Sequence, residues 1–478
     1  MSELCFTPAH QLRSKLLTRE ISARELLEAF IEQTQRYNPT INALVTVNLE
    51  SARQQAEVAD QQYTTGAKPL GLLHGLPIAV KDVFATQGIR TTLGNPHFAN
   101  HTPTEDDVLV AREKAAGAII LGKSNTPDCA SGGVTSNTIF GLTLNPWNLD
   151  KTTSGSGGGG VASLMSGMVA LADGSDIGGS VRSPAAWSNC VGFRPSSGRI
   201  PGPPGSLADG NTSTAGAFTR CVKDTALFME ACDGPDLRSA TPYPFAGQRI
   251  TMDALDSLPM GITASWSAEF AKRNMEPEIS SLFEAHSRVF EGFGLTLSST
   301  ELNLGSSYRQ LYSDFNAYSY VKGLPAQVLH DCLHKRPVKP SIQANVDHYM
   351  SMSAQQIFNM FRAREILRVN TQIYMQDHAV IITPAHNCFA YGAIDTAGQD
   401  LCDWSAFYLA PLLGLPSIVL PCGFTKDGMP HGVMITGRYG EDLLVLQIAA
   451  AFERNTGYGQ QRPKLPLEQA AGRYTANN

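Results

Sequence analysis

Lys81, Lys123, Ser156 and Ser180 are the side chains whose types and surroundings point to nucleophilic chemistry. Ser180 follows Ile177, Gly178 and Gly179 in the run ADGSDIGGSVRSPAA. Glycines at such a turn let consecutive backbone N–H groups converge on one point, which suits an oxyanion, and a serine at its end suits attack on a carbonyl. A tight turn between packed elements is the plainer alternative. The run is not a GxSxG elbow, because Arg182 occupies the place of the final glycine. A serine nucleophile needs a base. No histidine lies between His101 and His286, but a lysine in apolar surroundings also serves, since desolvation leaves its amine neutral. Lys81 and Lys123 each follow an apolar run, and spacing does not choose between them. Neither serine has a lysine three residues on, so the SxxK pattern is absent.

Ser156 sits in KTTSGSGGGGVAS, where Gly155, Gly157 and Gly160 match GxGxxG and Asp176 follows about twenty residues later, a dinucleotide fingerprint on paper. That fingerprint leaves a strand directly, whereas the preceding NPWNLDKTT is turn-rich and has no apolar run. A phosphate loop is excluded, because no Lys-Ser/Thr pair ends the glycines. Apolar segments such as VASLMSGMVALADG follow at once, which excludes a flexible linker.

These residues need elements to hold them. The periodicity of SARELLEAFIEQTQRYN predicts a helix capped by Ser22, and a second helical run ends near Gly66. Residues 76–82 and 117–125 read as buried strands with helical EDDVLVAREKAAG between them, a β–α–β rhythm. Residues 236–376 read as mostly helical, broken by KRPVKP. HAVIITPA and LPSIVLPCGFTKDGMPHGVMITG return as strands, the latter with a turn at Lys426-Asp427-Gly428, and EDLLVLQIAAAFE closes as a helix. Sheet-forming pieces at both ends of the chain predict one sheet within one large domain.

The 478 residues are 42% hydrophobic, enough for a sizeable core, and the net charge of −6 argues against nucleic acid or an anionic membrane as partner. No apolar run of spanning length or leader-like start is present, and nine cysteines without a CxxC fit scattered reduced thiols, so a cytoplasmic protein is expected. Eleven histidines form no HExxH pattern, and no metal or cofactor is expected.

The blocks GLPIAVKDVF, LGKSNTPDCA, NPWNLDKTTSGSGGGG and GSDIGGSVRSPAAWSNCVGFRPSSGRIP together resemble the amidase signature family. AGAFTRCVKDTALFMEACDGPD and the segment from LGLPSIVLPCGF to the last helix extend the match. The resemblance implies an α/β fold with a central mixed, mostly parallel sheet flanked by helices, a signature core over residues 65–235, a variable helical segment over 236–376 and completing strands over 377–465. It also implies Ser180 as nucleophile, Ser156 as bridging serine on a cis peptide bond and Lys81 as base. The N–H groups of Ile177, Gly178, Gly179 and Ser180 would form the oxyanion hole. Lys123 becomes a supporting residue, and Asp176 and Arg182 a bracing ion pair. The family's loop usually carries a second serine where Gly157 stands, so a hydroxyl is missing there, and Ser154 replaces a usual glycine. Cys129 and Cys190 have no matching base and read as buried small hydrophobes.

Tyr308, Tyr312 and Phe315 share a helix face, either as core or as a pocket wall; Gly132, Gly133, Phe389 and Trp404 are further candidates for substrate contact. The expected activity is hydrolysis of small aryl or alkyl carboxamides. Carbamates and esters fit the same scheme, water is the second substrate, and a homodimer is one expectation. The alternative of another class is one subunit of a glutamine-dependent amidotransferase.

Overall fold

The computed structural model describes residues 3–65, 71–202, 212–239, 243–268, 275–305, 307–394 and 402–465. Eleven strands form one sheet: β1 (Leu44–Val47), β2 (Pro77–Lys81), β3 (Ile119–Ser124), β4 (Leu171–Asp176), β5 (Val191–Arg194), β6 (Thr214–Thr219), β7 (Thr263–Trp266), β8 (Thr296–Ser298), β9 (Val380–Pro384), β10 (Ser417–Phe424) and β11 (Pro430–Gly437). Their order is β1-β3-β2-β4-β6-β5-β10-β11-β9-β7-β8.

The sheet is mixed, as expected, but not mostly parallel. Six of its ten pairings are antiparallel, and parallel pairs are confined to β2 with β3 and β4, and to β7 with β8 and β9. The β–α–β rhythm is real around β2 and β3, where the helix Val108–Ala115 makes the crossover. Elsewhere strands meet through hairpin-like returns such as β10 to β11, turned at Lys426-Asp427-Gly428. The strands β7 and β8 inside the segment expected to be helical escaped notice because they are four and three residues long.

Both faces of the sheet are covered. On β10 and β11, Val419 and Met434 join one apolar cluster, while Ile418, Leu420, Val433 and Ile435 join the other. That alternation follows from the two-residue period of a strand, so continuous apolar runs such as SIVLPC serve two cores at once. Over the helix Ala23–Ile41, the Ser22 hydroxyl accepts the Glu25 N–H and the Glu25 carboxylate accepts the Ser22 N–H, so both ends of the first turn are satisfied. The second predicted helix runs Leu49–Thr64 and is capped at Thr65, next to the expected stop near Gly66, which itself lies outside the described residues. Among them, no helix is long and apolar enough to cross a membrane.

Candidate active site

β2 and β4 are adjacent and parallel, with Ile78 opposite Leu171 and Ala79 opposite Ala172. Their carboxyl ends therefore open at the same edge of the sheet, the place where open α/β sheets gather functional groups. Lys81 is the last residue of β2, and the turn Ile177–Ser180 leaves β4 directly before the short helix Arg182–Ala186. Ser156 arrives from a third element, the loop before the helix Gly158–Met165. The Gly155–Ser156 peptide bond is cis. Gly157 N–H donates to the Ser180 carbonyl at 3.1 Å, which ties this loop to the turn.

Lys81 is fully buried, and its Nζ donates to Ser156 Oγ at 2.7 Å and to Ser175 Oγ at 3.0 Å. Burial pulls its pKa down to about 7, against the opposing pull of Asp173 and Asp176. Lys123 is buried as well, but its Nζ is given to the Phe84 carbonyl at 2.5 Å and to Thr86 Oγ1 at 2.6 Å. The choice that spacing left open is thus made by packing: only Lys81 reaches Ser156. Ser180 is partly exposed at a cavity, whereas Lys81 and Ser156 lie beneath it.

The Asp176 carboxylate organises the turn. It receives the N–H groups of Gly179 at 3.0 Å and Val181 at 3.1 Å, and Arg182 at 2.9 Å and 3.1 Å. Arg194 donates to its backbone carbonyl. Burial alone would raise the Asp176 pKa, but the Arg182 guanidinium outweighs it and holds the carboxyl well below the usual carboxylate range. Because the Gly179 N–H is already donated to Asp176, Gly179 drops out of the expected oxyanion set, leaving Ile177, Gly178 and Ser180.

The position of Gly157 has a concrete neighbour. A Cβ there would stand 2.5 Å from the Phe218 ring and 2.6 Å from the Ser180 carbonyl. The Phe218 ring on β6 also lies against Gly160 and Gly174, so the space of the missing hydroxyl is filled by an aromatic ring. Ser154 has φ of 66°, and its hydroxyl pairs with Ser183 Oγ at 2.6 Å.

A cavity of about 240 Å³ opens over Ser180. Of the residues expected to contact substrate, Gly132, Gly133, Tyr312 and Trp404 line it, together with Tyr320 and Tyr408. Tyr312 stacks on Tyr408 with ring centres 3.6 Å apart and presents its hydroxyl at Gly178. Two expected contacts are absent from the lining. Tyr308 is core, its hydroxyl donating to the Ser405 carbonyl at 3.1 Å, and Phe389 is half-buried outside the lining. Helical spacing put Tyr308 and Tyr312 on one stripe, but only the second lies at the cavity's depth. Tyr320, Tyr408, Asn316 and Asn345 escaped sequence reading because nothing local distinguishes them. Ser175 was visible within GSDIGGS but carried no separate signal.

The expectation of scattered thiols also changes. Cys388 and Cys402 are joined as a disulfide, with His386 beside them, while seven cysteines are free. A sequence separation of 14 residues hid that pairing.

The model of the family described as Amidase matches residues 25–446. An acylamidase of Rhodococcus erythropolis is 30% identical over 95% of this chain and 96% of its own length. A glutamyl-tRNA(Gln) amidotransferase subunit of Moorella thermoacetica is also 30% identical, over 97% and 99%. The solved structure of a bacterial aryl acylamidase of the amidase signature enzymes superposes with a TM-score of 0.86 at 28% identity, covering 98% of this chain and 99% of that one. With a lysine, a cis-bonded serine and a glycine-turn serine held at one sheet edge, and with the family model spanning most of its length, this chain belongs to the amidase signature family of amide hydrolases.

Proposed function

We propose that the protein hydrolyses small uncharged carboxamides, aryl or alkyl, through an acyl-enzyme on Ser180. The observation that carries this reading is the 2.7 Å contact between buried Lys81 Nζ and Ser156 Oγ, beneath a cavity lined by no charged side chain among the described residues. Neutral Lys81 takes the Ser156 proton as Ser156 takes that of Ser180, and Ser180 Oγ bonds to the substrate carbonyl carbon. The N–H groups of Ile177, Gly178 and Ser180 meet the oxygen as it becomes negative. The relay then runs backward and protonates the leaving amine as the C–N bond breaks. Water enters by the same route, its proton passing through Ser156 to Lys81 while its oxygen attacks the acyl carbon; the bond from that carbon to Ser180 Oγ then breaks, the proton returns through Ser156 to Ser180, and the carboxylic acid leaves.

Tyr312, Tyr320, Tyr408 and Trp404 favour an aromatic or compact apolar acyl group. The named relatives divide between amidotransferase component and acylamidase. Free glutamine carries an ammonium and a carboxylate, and burying them is costly where, among the described residues, no carboxylate lines the cavity and the Lys339 ammonium behind Gly132 is held by the Ser131 carbonyl at 2.6 Å. That weighs toward the acylamidase reading. Carbamates and esters offer the same carbonyl and remain within the scheme. The test is a turnover screen over anilides, primary amides, carbamates, esters and glutamine, with Ser180→Ala alongside. We expect anilide or amide turnover that falls by about 10⁴-fold or more in Ser180→Ala, together with loss of fluorophosphonate labelling. Turnover of glutamine alone would overturn the substrate class, and labelling that survives in Ser180→Ala would overturn the nucleophile.

A further inference from the structure

His386, Cys388 and Cys402 stand together just beyond β9, all three buried, with a ring nitrogen of His386 and the two sulfurs within 4.8 Å of one another. The histidine's two nitrogens are unequal. Nε2 lies 2.8 Å from Ser183 Oγ, which is itself 2.6 Å from Ser154 Oγ. Nδ1 is buried and has no partner among the described residues. The ring is clamped by Trp187, stacked at 4.1 Å, and by the edges of Phe407 at 4.9 Å and Trp404 at 5.4 Å, so its orientation is set by packing.

We propose that, when the Cys388–Cys402 disulfide is reduced, this trio is a binding site for a soft divalent cation such as Zn²⁺, held by His386 Nδ1 and the two thiolates. The site has the donor types of a Cys₂His centre, with a fourth position left for water. With Nδ1 on the cation, Nε2 would carry the proton, and Ser183 Oγ at 2.8 Å is placed to accept the outer hydrogen bond that ligating histidines characteristically make. Two thiolates cancel the charge of the cation, so a dry pocket can hold it without an unpaired charge. Metal–sulfur bonds of about 2.3 Å require the sulfurs to be unbonded to one another, which is why the site needs the disulfide cut.

The chemistry balances with a phosphine as reductant. It takes the oxygen of one water and becomes the phosphine oxide, the S–S bond breaks, and the two protons of that water leave two thiols. Zn²⁺ then displaces both thiol protons. The metal-loaded and disulfide forms are mutually exclusive. Neither form uses Lys81, Ser156 or Ser180, so the proposal is independent of which amide the enzyme cleaves.

Cobalt(II) gives the test, because a thiolate-to-cobalt charge-transfer band reports sulfur ligation directly. The full chain, reduced with a phosphine and freed of excess reductant, is titrated with Co²⁺ and then Zn²⁺. The expected result is a band that saturates at one equivalent and is bleached by Zn²⁺. It should be lost in Cys388→Ser and in Cys402→Ser, and kept in Cys221→Ser, whose sulfur lies 3.8 Å from His10 Nδ1 in a separate cluster. The unreduced protein, with its disulfide intact, should show no band, and this arm does not depend on any variant folding. A band of equal strength in the unreduced protein, one that survives in both serine variants, or none in the reduced protein would each overturn the site.

Discussion

A lysine amine, not an imidazole, stands next to Ser156; if it is the base as proposed, its pKa, pulled down to about 7 by burial, sets the pH behaviour. The base must be neutral, so kcat/KM should rise through about pH 7 and level off above it, as a pH profile on an uncharged amide would record. A maximum near about pH 6 would contradict Lys81 as base. At Gly157 the sequence shows only that a hydroxyl is gone, whereas the fold shows that Phe218 occupies the space. Gly157→Ser should therefore cost about 1–3 kcal/mol by overpacking, measured by denaturant unfolding. The loss should shrink when Phe218→Leu is made in the same chain, and equal costs in both backgrounds would sink this account.

At the scale of elements, three segments are positioned by one carboxylate. Asp176 ends β4, accepts the N–H groups of Gly179 and Val181 in the turn that carries Ser180, and pairs with Arg182 and Arg194, all with fully buried side chains. Asp176→Asn leaves two buried guanidinium groups without their counter-charge, for which about 3–5 kcal/mol is expected. A thermal melt should show it as a lowered midpoint, with Ser180 labelling falling in parallel because the turn loses its anchor. A midpoint unchanged from wild type would mean that the arginines are satisfied by carbonyls alone. β2, β3, β9, β10 and β11 were legible because buried strands read as unbroken apolar runs bounded by turn residues. β7 and β8 were not, since strands of four and three residues carry too little pattern.

For the whole molecule, the last three strands occupy the interior of the sheet: β10 pairs with β5, and β9 with β7. A chain stopped at residue 376 would bare the edges of β5 and β7, so it is expected to aggregate, and the full chain to unfold in one calorimetric transition. Two well-separated transitions would show that the ends fold independently. The sequence by itself offered serines in glycine-rich loops and two strand-end lysines as candidates, and the blocks that resemble the amidase signature family named Lys81, Ser156 and Ser180 among them. It also determined the covered sheet, through apolar periodicity. Only the tertiary structure decided which lysine reaches the serine, which amide Asp176 has already taken, which tyrosine faces the cavity, and that Cys388 and Cys402 meet beside His386. Those are contacts between segments far apart in the chain, made by packing against both faces of one sheet, and no local spacing encodes them.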